Sequence, residues 1–112
     1  MNQQQQLDAI QVSIDKAKHA IELGAALERL LKNKDFIKVF KKGYMEDEAQ
    51  RLVVLKTDYN MQDERTQKMI DYGIIGIGQL NSYTSMILQQ AESMKSALEE
   101  MEETKAEIIQ GE

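Results

Sequence analysis

Apolar side chains recur along this chain at alternating steps of three and four, the spacing that places them on one face of a helix. In the N-terminal third the stripe is Leu7, Ile10, Ile14, Ala17, Ile21 and Gly24, continued and widened by Leu27, Leu30 and Leu31. Asp8, Gln11, Asp15, Lys18 and Glu22 fall on the other faces. The pattern predicts a helix over residues 4–32. Gly24 lies inside the stripe, where it costs about 1 kcal/mol relative to Ala; a close helix approach or a small kink would account for it.

A second stripe runs through Thr66, Ile70, Gly73, Ile77, Leu80, Thr84, Ile87, Ala91, Met94, Leu98, Met101, Lys105 and Ile108, alternating strictly between three and four. This is the heptad period of a left-handed coiled coil. It predicts a long helix over 60–109, capped by Asn60 and carrying Asp63 and Glu64 in its first turn. Whether that helix runs unbroken through Gly73, Gly76 and Gly78 is left open by the pattern.

Between the stripes, residues 35–56 predict two short helices. Asp35 is placed as an N-cap, with Phe36, Ile37, Val39 and Phe40 as the apolar side. Lys41 and Lys42 would sit in the last turn, and Gly43 in the left-handed position that ends the helix. The next helix opens with Glu46, Asp47 and Glu48 at its positive end and buries Ala49, Leu52, Val53 and Leu55. Val53-Val54 could begin a strand, but nothing in the chain offers a second strand to pair with it. Proline, which costs roughly 3 kcal/mol inside a helix, does not occur.

The expected fold is all-α, a single helical domain over 1–112. It is an antiparallel helical hairpin or coiled coil, with the first helix along the C-terminal half of the last and the two short helices at the tip. Two helices alone bury one seam. Met86-Ile87-Leu88, Ile108-Ile109 and Leu30-Leu31 spread apolar surface beyond it. A second copy, packed as a helical bundle, would cover that surface. The expectation is a homo-oligomer, a dimer on symmetry grounds, whose seam draws on Ile14, Ile21, Ile87, Met94, Leu98 and Met101. The alternative is a monomer that offers the face to a different protein.

Composition narrows the chemistry. The 112 residues contain no Cys and one His, which excludes thiolate metal sites, thiol nucleophiles and multi-histidine centres. No cofactor, metal-ligating or catalytic residue is assigned. His19 with Asp15 and Glu22 is read as a solvated helix face, and Gly73-Ile-Ile-Gly76-Ile-Gly78 as a packing or kink feature, since it lacks the spacing of a dinucleotide or phosphate loop. Paired carboxylates at Glu46, Asp47 and Glu48 and at Glu99 and Glu100 have no evident pocket to raise their pKa values. A net charge of −5 disfavours nucleic acid and anionic lipid as partners. No apolar run nears the ~20 residues of a membrane span. Met1 to Gln6 has no basic region before an apolar stretch, so a cytoplasmic protein without a signal peptide is expected.

Charge is unevenly placed. Lys34, Lys38, Lys41 and Lys42, with Lys32, form the one basic cluster, a possible patch for an acidic partner. Glu92, Glu99, Glu100, Glu102, Glu103 and Glu107 make the other end of the chain acidic. Head-to-tail contact or oriented docking would follow from such polarity.

The stretch containing Leu27-Glu28-Arg29-Leu30, Asn33-Lys34-Asp35-Phe36, Gly43-Tyr44, Glu48-Ala49 and Arg51-Leu52-Val53 resembles small all-helical proteins encoded among the structural genes of tailed bacteriophages. The likeness covers roughly residues 21–58 and brings no functional residue with it. It implies a virion component or assembly accessory, located in the host cytoplasm or the particle. The expected function is a non-enzymatic structural or assembly protein that oligomerises and docks onto a larger complex. The alternatives are a small phage regulator that binds and inhibits a host protein and, less favoured, a nucleic-acid-binding packaging subunit.

Overall fold

A computed structural model describes residues 2–111. Helix α1 spans Gln3–Leu31. After a two-residue break the chain re-enters a helix as α2 (Lys34–Phe36), continues into a π-helical stretch (Ile37–Glu48), and returns to α-helical winding in α3 (Ala49–Thr57). A 3-10 turn at Tyr59–Met61 leads to α4 (Glu64–Gln110). No strand occurs among the described residues, so the all-α expectation holds, and Val53-Val54 lie within α3. The chain divides into two compact units: Met1–Glu28 with Met86–Glu112, and Arg29–Ser85.

In the first unit, α1 and the C-terminal part of α4 pair in opposite directions. Gln3 Nε2 donates to the Ile108 carbonyl at 3.1 Å, Lys105 Nζ donates to Gln11 Oε1 at 2.6 Å, and Gly24 faces Ala91. Ile14, Ala17, Gly24, Leu27, Ile87 and Ala91 are buried between them. A Cβ at Gly24 would lie 2.2 Å from the Ala91 Cβ, so the two backbones meet closer than any side chain on that residue permits. This is the close approach that the stripe glycine suggested.

The second unit is built on Leu52, Ile70 and Ile77, with Tyr44, Ala49, Leu55 and Met61 packed around them. Leu52 fills the space in front of Gly73: its Cδ1 lies 2.9 Å from where a Cβ would stand. Helix α4 is continuous through Gly73–Gly78, and each member of its alternating stripe from Thr66 to Ile108 is buried or half-buried.

Several local expectations need correction. The helix that follows the break is capped by Asn33, not Asp35: Asn33 Oδ1 accepts from the amides of Asp35 and Phe36, both at 3.0 Å. Asp63, not Asn60, caps α4, accepting from the Thr66 amide at 3.0 Å and the Thr66 hydroxyl at 2.8 Å. Asn60 instead donates its amide to Asp58 Oδ1 at 2.8 Å inside the turn. In both pairs two residues capable of capping stand close together, and the winning one is set by where the helical dihedrals begin. Gly43 does not end a helix. No described glycine has a positive φ, and the winding runs on past Gly43 without a left-handed residue. The two short helices expected over 35–56 are therefore one uninterrupted helical run, and the chain reverses later, at residues 58–63.

That reversal is closed by side chains. Gln62 Nε2 donates to the carbonyls of Lys56 (3.1 Å) and Asp58 (2.6 Å), and Gln67 Nε2 donates to the Met61 carbonyl at 2.7 Å. The bonds from the Thr66 amide and hydroxyl hold the Asp63 carboxyl below its usual range. A depressed carboxyl contributes its stabilisation above the ordinary carboxylate pKa and loses it as pH falls through the lowered value. Asp63→Ala should lower the melting temperature at neutral pH, with Asp63→Asn less harmful because the amide oxygen still caps. The difference between wild type and Asp63→Ala should shrink on acidification, as thermal melts followed by circular dichroism would register.

Candidate functional site

The predicted seam residues fall into two groups. Ile14 (2% exposed) and Ile87 (5%) are already covered within one chain, so their role is to hold α1 against α4. Ile21, Met94, Leu98 and Met101 are half-buried along the edge of the same pairing. Lys105, the one cation in the α4 stripe, is also half-buried and is satisfied by Gln11, as a partly desolvated ammonium must be.

Beside this seam runs a shallow groove of the first unit, lined by Val12, Asp15, Lys16, His19, Leu23 and Gln90. Positions 12, 16, 19 and 23 follow the helical repeat and form a second face of α1. Val12 is 53% exposed and Leu23 40%. On α4, Met86 stands one turn before Gln90 and is exposed as well. The stripe pattern did not single out this flank, although the spacing of Val12, Lys16, Ala20 and Leu23 was available as a secondary signal. Asp15 and His19 share the groove, but no group of three potential metal-ligating side chains gathers among the described residues.

The second unit carries the lysine patch. Lys34, Lys38, Lys41 and Lys42 are all exposed. Lys42 Nζ lies 3.1 Å from Asp47 and 3.7 Å from Glu46, and these carboxylates, Asp47 foremost, raise its pKa. Lys34, Lys38 and Lys41 have no carboxylate within 4 Å among the described residues. The same segment of chain carries exposed apolar groups. Phe36 and Phe40 are the rings on the apolar side that the spacing assigns to the first short helix. Phe40 is instead 45% exposed, Phe36 is only half-buried, and the two rings stack on each other with centroids 5.3 Å apart. No residue of the π-helical stretch is buried.

The carboxylates at 46–48 are engaged in local ion pairs. Glu46 and Asp47 face Lys42, and Glu48 pairs with Arg51, whose guanidinium lowers the Glu48 pKa. The glycine run at 73–78 lies within α4, where Gly73 faces Leu52, Gly76 approaches the Tyr44 hydroxyl, and Gly78 faces open space. Sequence reasoning missed a further exposed cluster at the start of α4, where Arg65, Lys68, Met69 and Tyr72 share one side. Its spacing of three and four is a second helical face, readable once the first had been assigned.

No helix among the described residues is long and apolar enough to cross a membrane. No protein-family model, curated protein or solved structure matches this chain.

Proposed function

We propose that this chain is a non-enzymatic assembly protein: an antiparallel helical hairpin that pairs with a second copy of itself and docks onto a larger protein complex. The phage particle or an assembly intermediate is the setting suggested by the resemblance of residues 21–58 to phage structural-gene products. The observation that carries the reading is the apolar flank beside the α1–α4 pairing, where Val12, Leu23 and Met86 stand exposed next to a seam that is already filled. Exposed side chains of this kind, repeated at helical spacing along a groove, match the way one helical pair lies against another in a bundle. The partner is then a second copy, because an isologous contact uses the same flank twice and closes as a dimer.

The test is a pair of charges on the flank. Val12→Glu with Leu23→Glu should leave helix content unchanged, since both positions are exposed, and should reduce the sedimenting species from two chains to one. If the mass of the double variant equals that of wild type, the flank is not the contact. Docking onto a larger complex is tested separately by whether the chain co-purifies with intact particles through a density gradient.

A further inference from the structure

The lysine cluster of the second unit and the glutamate cluster of the first are opposite in charge, and most of their members have no oppositely charged partner within 4 Å among the described residues. Residues 32–42 hold five lysines against one aspartate, and residues 92–107 hold six glutamates against two lysines. Within the acidic segment the lysines are occupied: Lys95 pairs with Glu92 at 3.3 Å, and Lys105 donates to Gln11. Glu99, Glu102 and Glu103 lie at i, i+3 and i+4, share one exposed face of α4, and have no cation within 4 Å among the described residues. Lys34, Lys38 and Lys41 are likewise exposed, with no carboxylate within 4 Å among the described residues.

We propose that the basic segment carrying Lys34, Lys38 and Lys41 in one copy docks on the Glu99–Glu102–Glu103 face of another, joining copies through two different surfaces. A surface of one sign steers and orients a partner of the other sign, and here each copy carries one of each. The two surfaces differ, so the contact is heterologous and propagates into rings or filaments, unlike an isologous dimer. This inference rests on the self-association reading above only in taking the dimer as the unit that is joined. The two contacts separate by salt, because exposed charges are screened over about 8 Å at physiological ionic strength while apolar burial is not weakened.

The experiment is sedimentation of the full chain at about 0.05 M and about 0.5 M salt, with two charge-reversed variants. One is Lys34→Glu/Lys38→Glu/Lys41→Glu; the other is Glu99→Lys/Glu102→Lys/Glu103→Lys. All six positions are exposed, and circular dichroism checks that each variant remains helical. In low salt the wild-type mass should climb with concentration beyond two chains, and in high salt it should stop climbing. Each variant alone should lose this growth, with association weakened about tenfold or more. Mixing the two variants should restore it, since each then supplies the face the other lacks. No growth in low salt, growth indifferent to the reversals, or a mixture that fails to assemble would each overturn the proposal. So would lysine-dependent binding to anionic phospholipid vesicles with no rise in mass. A wild type that is monomeric in high salt yet grows in low salt would refute the apolar dimer and leave this contact standing.

Discussion

Gly24→Ala will lower the melting temperature of this protein, and Gly78→Ala will raise it. Both glycines lie within long α-helices, where exchanging Gly for Ala ordinarily stabilises by up to about 1 kcal/mol. At Gly78 nothing lies within 4 Å of the added carbon, so the ordinary gain should appear in full. At Gly24 the new methyl would stand 2.2 Å from the Ala91 Cβ, and the helix backbones must separate to admit it. Overpacking of this kind costs about 1–3 kcal/mol, which exceeds the propensity gain. Melts followed by circular dichroism should therefore move by a few degrees in opposite directions. Gly24→Leu should be worse than Gly24→Ala. If both alanine variants raise the melting temperature, α1 and α4 do not approach one another at Gly24 as described.

Ile14→Asp should be the most damaging substitution in the first unit, with a loss of about 3 kcal/mol or more, because it places an unpaired carboxylate at a site 2% exposed. Val12→Asp, two residues away and 53% exposed within one chain, should change the stability of the single chain by no more than about 0.5 kcal/mol when both proteins are unfolded at a concentration too low for copies to associate. Urea unfolding monitored at the helical band measures both. The contrast separates the face of α1 that holds the fold from the face that is free to bind, and similar losses at the two positions would erase that distinction.

The stripes were the legible part of the fold. A period of three and four is imposed by helix geometry itself, so Ile14, Ala17, Ile87 and Ala91 could be assigned to one buried face before any contact was known. The helix starts were less legible because Asn33 and Asp35, and again Asn60 and Asp63, are each chemically able to cap. Gly43 misled for a related reason. A glycine after two lysines is the usual mark of a helix end, but the next residues are compatible with a helix, and nothing local forbids the chain from continuing. Proline would have forbidden it; none is present.

The surface was the least legible. Periodicity identifies the side chains that face a partner helix and is silent on whether a further layer covers the rest. Phe36 and Phe40 illustrate this: by residue type they belong in a core, yet they stack on each other with Phe40 45% exposed. Val12 and Leu23 are the converse, secondary positions on a helix whose main stripe drew attention away from them. The lysine patch, by contrast, was visible as a charge cluster, because charge in a helix this exposed has nowhere to go but solvent or another molecule.

Association of two copies through the flank of the α1–α4 pairing is the property on which the proposed role depends. Sedimentation equilibrium of the wild-type protein at tens of micromolar, in salt high enough to screen surface charge, measures this directly. The mass should be twice the 12.8 kDa of one chain. A mass of one chain, unchanged as concentration rises, would contradict it.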